Sequence, residues 1–187
     1  MKIIKFFIKL IVTILVIGFI GFSFVQKETL NNLKERKKKV TSLRENFDQK
    51  LNDRDKLILS ISSTNSDSLR YLIEKSKLVR KNNNLLEIEF NEYKLNNFLM
   101  NKCPVLKKET ISLYQELNKI TTEYNSSVKD YNVYYSTFPT FIFAKRKGFK
   151  TDKYLTIVYG EKNQNPIEKS KELPEWTKNV DTTFISK

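Results

Sequence analysis

Residues 113–139 read LYQELNKITTEYNSSVKDYNVYYSTFP, and this stretch decides the fold. Its apolar residues follow one another at steps of three or four: Leu113, Leu117, Ile120, Tyr124, Val128, Tyr131, Tyr135 and Phe138. This spacing places them along one face of an α-helix. Pro139 ends the pattern, because proline lacks the backbone N–H that a further helical turn needs. The stretch therefore predicts one long amphipathic helix.

Three segments upstream also have a helical pattern, and the first of them follows steps of three, four or their sums. Their apolar positions are Leu30, Leu33, Val40, Leu43, Phe47, Leu51, Ile58 and Ile61, then Leu69, Leu72, Ile73 and Val79, then Leu85, Ile88, Tyr93 and Phe98. Polar joins at residues 62–67 and 82–84 separate these segments, and Pro104 ends the third or starts the next helix. The predicted fold is all-α, with an N-terminal transmembrane helix, an antiparallel bundle of about four helices and an irregular C-terminal tail.

Residues 3–25 are almost wholly apolar and predict a membrane anchor. At about 1.5 Å per residue, a helix of this length crosses the roughly 30 Å hydrocarbon layer if Lys9 extends its ammonium group to the interface. The alternative is a cleaved signal peptide, but the run is long for one and Gly21-Phe22-Ser23 is a weak cleavage site. A retained single-pass helix in the cell membrane is favoured. Flanking basic residues favour a cytoplasmic domain by count, but long domains cross regardless of such charge, so both orientations stay open.

The chain carries 34 basic and 21 acidic residues, a formal net charge of +13. This excess suggests a nucleic acid or an anionic membrane surface as partner. Nucleic acid is the less favoured of the two, because the densest basic run has no interleaved aromatic residues and no nucleic-acid-binding module is recognisable. On a straight helix the later charges of this run are largely screened from the membrane surface. We therefore expect solvated charge at Lys34, Arg36, Lys37, Lys38 and Lys39.

Few residues are suited to catalysis. The sequence has no histidine and one cysteine, Cys103, so it offers neither an imidazole metal ligand nor a Cys–His nucleophilic pair. Asp53, Arg54 and Asp55 are adjacent, but neighbours on a helix point in different directions, and we expect a solvated or intrahelical ion-pair cluster. Asp130 has no sequence neighbour that would make it a general acid or base. We predict no catalytic residue, no metal site and no cofactor.

A seven-residue repeat marks the long helix, where three residue pairs return to nearly the same face: Tyr124-Asn125, Tyr131-Asn132 and Phe138-Pro139. Here the sequence resembles the LemA family, whose late helix reads YN-x-x-V-x-D-YN before an aromatic-Pro pair, an apolar stretch and Gly-Phe. The matching residues are Tyr124, Asn125, Val128, Asp130, Tyr131, Asn132, Phe138, Pro139, Ala144, Gly148 and Phe149.

A looser similarity to the same family extends upstream to residue 30 and includes the anchor. Residues 51–58, LNDRDKLI, are similar to its basic-acidic-Leu-Ile stretch, and Cys103-Pro104-Val105-Leu106 to its aromatic-Pro-x-Leu. Leu59 stands where the family usually has proline, and Asp53 replaces one of its paired basic residues. The resemblance implies a membrane-anchored antiparallel helical bundle with no established chemistry. It makes Arg54, Asp55 and the late-motif residues candidates for partner binding.

The Tyr-Asn pairs also lead to a structural prediction. Leu117, Tyr124, Tyr131 and Phe138 lie on the central seam of the helix, and Asn125 and Asn132 lie one position beside it. We predict that the aromatic residues are core. The asparagines should flank the core, where they either hydrogen-bond an adjacent segment or face a partner.

The pattern divides the chain into a membrane anchor at residues 1–26, a LemA-like bundle at 27–149 and a loosely ordered tail at 150–187. In that tail, residues 154–159 could form a short strand, and Trp176 could hold the tail on the bundle. The favoured function is a non-enzymatic, membrane-tethered interaction or scaffolding module, which contacts lipid through its anchor and an unidentified protein through its bundle. Two alternatives stay open: an anchored enzyme or assembly factor using carboxylates such as Asp55 and Asp130, and a binder of acidic polymers.

Overall fold

The computed structural model describes residues 2–61, 67–81, 84–166 and 168–169. Five α-helices follow one another in this part of the chain: α1 (Lys2–Ile61), α2 (Asp67–Lys81), α3 (Leu85–Lys102), α4 (Pro104–Ser136) and α5 (Thr140–Arg146). No β-strand occurs in the described residues. The prediction of an all-α helical bundle is confirmed.

Helix α1 is one unbroken helix of 60 residues, about 90 Å long at 1.5 Å per residue. Residues 9–25 are exposed and mostly apolar, and near its N-terminus α1 is by length and composition able to cross a membrane. Burial in the bundle begins further along, at Thr29 and Leu33. The apolar segment and the first bundle helix are therefore two parts of one continuous helix.

Helices α1 and α4 run antiparallel through the bundle. Lys50 of α1 pairs with Glu116 of α4 at 2.7 Å, and Arg36, nearer the start of α1, pairs with Asp130, nearer the end of α4. Both predicted stripes face inward and contribute ten buried core residues: Leu33, Val40, Phe47, Leu51 and Ile58 from α1, and Leu117, Ile120, Tyr124, Val128 and Tyr131 from α4.

Helices α2 and α3 pack against each other, and α3 also contacts α4. Asn84 caps α3, because its side-chain oxygen accepts a hydrogen bond from the Glu87 N–H at 3.4 Å. Pro104 is the first residue of α4, a position at which the missing N–H of proline costs nothing. Of the two roles predicted for Pro104, it has the second, since it starts a helix.

The prediction that Phe138 lies on the central seam of the long helix is wrong. Helix α4 ends at Ser136, and Thr137 has an extended backbone with ψ of 148°. Phe138 therefore leaves the face that carries Tyr124 and Tyr131, and its side chain is 79% exposed. A cis peptide bond joins Phe138 to Pro139, and α5 begins at the next residue.

The Gly-Phe pair of the late motif closes α5. Gly148 has a φ of +76°, a conformation that favours glycine, and Phe149 N–H returns to the Ala144 carbonyl at 3.0 Å. This helix ending turns the chain back along the bundle. Residues 150–160, called the docked segment below, then run without helix along α4.

The docked segment differs from the loose tail expected from residue 150. Leu155, Ile157 and Tyr159 are buried in the common core with α1 and α4. The segment is not paired as a strand either, because side chains of α3 and α4, rather than a second strand, hold its backbone. Trp176 lies outside the described residues.

Candidate functional site: a buried ion-pair cluster beside the docked segment

Arg54 and Asp55 lie at the centre of a charged cluster that is closed off from solvent. Both side chains are fully buried, and Arg54 Nη2 lies 2.7 Å from Asp55 Oδ1. Arg54 also donates to Glu92 of α3, which is fully buried as well. Arg80 of α2 completes the cluster, because its guanidinium binds Glu92 at 3.0 Å and Asp55 on the other side. Two cations and two anions therefore alternate across three helices.

Neutral groups add further hydrogen bonds to this cluster. Ser76 of α2 donates its hydroxyl hydrogen bond to Glu92, and the Tyr159 hydroxyl lies 3.4 Å from the other Glu92 oxygen. Arg80 also donates to the side-chain oxygen of Asn52 at 3.3 Å. Because Tyr159 belongs to the docked segment, the cluster joins that segment to all three helices.

The opposite charges within the cluster stabilise one another's ionised form. Burial by itself lowers the pKa of Arg54, but the charges of Glu92 and Asp55 outweigh it and raise this pKa well above its usual value. Burial by itself raises the pKa of Glu92, but Arg54 and Arg80 outweigh it and lower this pKa. Both groups therefore stay charged at neutral pH. A carboxylate held by two guanidinium groups is poorly suited to act as a general base.

Of the two alternatives expected at Asp53, Arg54 and Asp55, the intrahelical ion pair is present, because Arg54 and Asp55 of α1 bind each other. The expectation of solvation is wrong for these two residues. Arg54 and Asp55 point inward together, and their further partners, Glu92 and Arg80, come from other helices. Asp53, in contrast, is exposed. Arg54 and Asp55 were also candidates for partner binding, but in the folded bundle neither reaches the surface.

Asparagine side chains of α4 hold the docked segment by its backbone. Asn132 donates to the Asp152 carbonyl at 2.8 Å and accepts from the Asp152 N–H at 2.9 Å. Asn125 makes the same two bonds with Leu155, at 2.7 and 2.8 Å. Asn118 makes them with Tyr159, at 3.1 and 2.8 Å. These three asparagines, called the asparagine ladder below, replace the neighbouring strand of a β-sheet.

Helix geometry explains why the ladder repeats every seven residues. Seven residues of an α-helix rise about 10.5 Å, and three residues of an extended chain cover about 10 Å. The step from Asn132 to Asn125 on α4 therefore matches the step from Asp152 to Leu155 on the docked segment. The next step, from Asn125 to Asn118, corresponds to four residues of the segment, from Leu155 to Tyr159. Each asparagine binds the N–H and the carbonyl of one residue. Of the two roles predicted for Asn125 and Asn132, they have the first, hydrogen bonding to an adjacent segment.

Tyrosine and glutamate side chains add further hydrogen bonds to the segment. Tyr131 donates its hydroxyl to the Lys150 carbonyl at 2.7 Å, and Tyr124 donates to that of Lys153 at 3.0 Å. Glu89 of α3 accepts from the Thr156 hydroxyl at 2.9 Å and from the Ile157 N–H at 3.3 Å. Both tyrosine rings are buried, which confirms that they are core residues.

Several residues of the site were missed by the sequence analysis. Asn118 had a visible signal, because Leu117-Asn118 extends the seven-residue repeat by one further pair. Asn96 of α3 makes the same double bond with Gly160, at 3.1 and 3.0 Å, but it lies outside that repeat. Arg80 and Glu92 had no signal, since a charged residue in an amphipathic helix usually belongs to its solvated face.

Asp130 and part of the basic run bind each other, contrary to expectation. Asp130 of α4 pairs with Arg36, whose guanidinium also lies 4.6 Å from the Tyr134 ring centre. Lys37 pairs with Asp152 of the docked segment at 2.6 Å. The expectation of solvated charge is therefore wrong for Arg36 and Lys37, whose cations hold α1 to α4 and to the segment. Lys34, Lys38 and Lys39 are exposed, as expected.

A small polar cavity of about 240 Å³ lies at the far end of the docked segment. Asparagines of α3 line one side of it, and Gly160, Glu161 and Asn163 line the other. Lys107 closes its edge through an ion pair with Glu161 at 2.7 Å. In the residues that the structure describes, no three histidine, cysteine or carboxylate side chains come together in a way that could hold a metal ion.

Comparison of the chain with protein-family models, with curated proteins and with solved structures found no match.

Proposed function

We propose that this chain is a non-enzymatic, membrane-tethered scaffolding module of the LemA type. The observation that carries the proposal is the continuity of α1, whose exposed apolar part passes without a break into the core of the bundle. In this proposal α1 spans the cell membrane once, and the bundle stands on it as a rigid body. Its outer surface then binds a protein partner at a fixed height above the membrane.

The contacts that the polar side chains make within the chain support the role of a scaffold. Arg54, Asp55 and Glu92 bind one another in the interior, and the asparagine ladder binds backbone of the same chain. Fully satisfied polar networks of this kind favour one rigid arrangement. The alternative of an enzyme using Asp55 and Asp130 gains no support from their positions. Asp130 pairs with Arg36, which is 19 residues and therefore about 28 Å from Asp55 along α1.

The outer face of α2 is suited to binding the partner. Tyr71 and Leu78 are 63% and 60% exposed and lie seven residues apart, which places them on the same side of the helix. Lys75 lies between them, with its ammonium 5.8 Å from the Tyr71 ring centre. Helix α2 follows the end of α1 at Ile61, about 54 Å beyond Val25 at 1.5 Å per residue. A partner bound here is held well away from the lipid.

Photocrosslinking in native membranes tests this proposal. A photoreactive residue replaces Leu78 in the full chain, and a matched variant carries it at Glu123, which is exposed on α4. We expect a discrete crosslinked protein from position 78 and much less of it from position 123. The Lys75→Glu change should weaken the crosslink from position 78. Equal crosslinking from both positions, or none from position 78, would contradict the proposed binding face.

A further inference from the structure

Helix α5 lies beside the last apolar turns of α1. Phe143 of α5 packs edge-on against Phe22 of α1, with ring centres 5.4 Å apart and ring planes at 69°. Phe22 belongs to the exposed apolar part of α1, three residues or about 4.5 Å before Val25, where that part ends. The helix that follows the Phe138-Pro139 pair is therefore at the level where the apolar surface of α1 gives way to the bundle.

The side of α5 that faces away from the bundle is apolar. Thr140, Phe143 and Ala144 are buried against the bundle. Phe141 and Ile142 point outward and are 43% and 46% exposed, and Phe138 before them is more exposed still. Exposed aromatic and aliphatic side chains in one short segment are unfavourable in water and typical of a surface that contacts another apolar phase.

Basic residues follow this apolar face directly. Lys145, Arg146 and Lys147 are exposed, and residues 131–151 contain no aspartate or glutamate. The acidic residues on either side of this stretch are already engaged, Asp130 with Arg36 and Asp152 with Lys37. Residues 138–147, called the interfacial segment below, therefore combine exposed apolar side chains with an exposed positive charge.

We propose that the interfacial segment docks on the membrane that α1 spans, a proposal that rests on the membrane span proposed above. Phe138, Phe141 and Ile142 enter the boundary between head groups and acyl chains, and Lys145–Lys147 contact anionic phospholipid head groups. Aromatic and basic residues together are the composition of segments that lie in this layer. The contact with Phe22 places the segment at the bilayer edge, which selects lipid over a soluble protein as the occupant.

Docking gives the bundle a second attachment to the membrane. A single spanning helix leaves the bundle free to tilt and to rotate about the axis of α1. An added contact through α5, which packs against both α1 and α4, fixes one side of the bundle toward the lipid. The charges of Lys145–Lys147 act close to the head groups, whereas Lys34, Lys38 and Lys39 lie about 13 Å or more beyond Val25 along α1, which exceeds a Debye length of about 8 Å.

Spin labels on the full chain in vesicles test the docking. Cys103→Ala removes the only cysteine, and a nitroxide is attached after Phe141→Cys, Leu15→Cys or Glu123→Cys in separate variants. The vesicles contain phosphatidylcholine with or without phosphatidylglycerol. Relaxation by oxygen, which concentrates in hydrocarbon, is compared with relaxation by a water-soluble nickel chelate. We expect a deep label at position 15, a shallow but oxygen-accessible label at 141 when phosphatidylglycerol is present, and a water-exposed label at 123.

Two charge-reversal variants separate the role of the basic residues. Lys145→Glu, Arg146→Glu and Lys147→Glu together should lower the docked-to-undocked ratio at position 141 by more than about tenfold, since each cation contributes several-fold near an anionic surface. Lys34→Glu, Lys38→Glu and Lys39→Glu together should leave it unchanged. An unaltered depth in the first variant would overturn the head-group contact.

The control label distinguishes failure of the docking from failure of the span. A water-exposed label at 141 with a deep label at 15 overturns the docking alone. A water-exposed label at 15 overturns the membrane span and the docking with it. A label at 141 that is shielded in native membranes but exposed in pure lipid vesicles means that a protein covers the segment, which also overturns the proposal.

Discussion

Asn132 binds both backbone polar groups of Asp152, donating to the carbonyl at 2.8 Å and accepting from the N–H at 2.9 Å. The same arrangement recurs at Asn125 and Asn118. Through this arrangement α4 hydrogen-bonds the backbone of an extended segment, as a neighbouring strand does in a sheet. The Tyr-Asn repeat is thereby explained by the fold, because the tyrosine of each pair enters the core and the asparagine holds the chain that covers it.

Replacing Asn132 should destabilise the bundle measurably. Asn132→Ala leaves the N–H and carbonyl of Asp152 without these partners, which should cost about 1–3 kcal/mol of unfolding free energy. Asn97→Ala, at an exposed asparagine of α3, should change it by less than about 0.5 kcal/mol. Urea titration of the full chain in detergent micelles measures both. Equal stability of the two variants would show that the ladder bonds contribute nothing.

Two substitutions at Tyr131 separate its ring from its hydroxyl. Tyr131→Ala removes a fully buried ring and should cost about 3–5 kcal/mol. Tyr131→Phe removes only the hydrogen bond to Lys150 and should cost about 0.5–1.5 kcal/mol. Thermal melts should therefore rank the two variants clearly. An unchanged melting temperature for Tyr131→Ala would contradict its place in the core.

The buried ion-pair cluster should be far more sensitive than a surface pair. Arg54→Met leaves Asp55 and Glu92 each short of a partner in the interior and should cost about 3–5 kcal/mol. Arg36→Met breaks the half-exposed pair with Asp130 and should cost about 1 kcal/mol or less. Adding Glu92→Gln to Arg54→Met should recover part of the loss. A similar cost for the two single variants in urea titration would mean that the cluster is solvated.

Alkaline pH should destabilise the bundle through its buried tyrosines. Burial raises the pKa of Tyr114 and of Tyr124 to about 12, and it raises those of Tyr131 and Tyr159 as well. Unfolded tyrosine ionises near pH 10. The stability linked to these raised pKa values is therefore complete below about pH 10 and is lost as the pH rises toward 12 and beyond.

This loss can be measured as the slope of unfolding free energy against pH. Each buried tyrosine contributes about 1.4 kcal/mol per pH unit between its unfolded and folded pKa values. Tyr124→Phe should make the slope between pH 10 and 12 shallower than in the unchanged chain. Tyrosinate absorbance should rise together with unfolding for the buried residues. Ionisation of all nine tyrosines near pH 10 in a chain that stays folded would contradict the burial described here.

The sequence predicted features that repeat along one helix and missed those that join different helices. The stripes of α1 and α4 follow from steps of three and four, and the buried places of Leu33 and Tyr131 confirm them. Glu92 and Arg80 could not be predicted as partners of Asp55 and Arg54, because helix packing alone brings them together. Phe138 was misplaced because the helical register was extended two residues past the end of α4.

The docked segment was missed for a different physical reason. Every second side chain from Leu155 to Tyr159 is buried, as in a strand, but the backbone partners of the segment are side-chain amides on a helix. Propensity and periodicity describe local preferences and do not reveal such a partner. The repeat of Asn118, Asn125 and Asn132 at seven-residue spacing contained the missing information.

Alkaline extraction of membranes tests most directly the proposal that α1 is a retained membrane span continuous with the bundle. The intact chain is expressed, membranes are collected and washed at high pH, and the N-terminus of the recovered protein is mapped by mass. We predict that the chain stays in the membrane pellet and retains the apolar residues of α1. Recovery of a soluble form that begins near Phe24 would contradict the claim, because the anchor would then be a cleaved signal peptide.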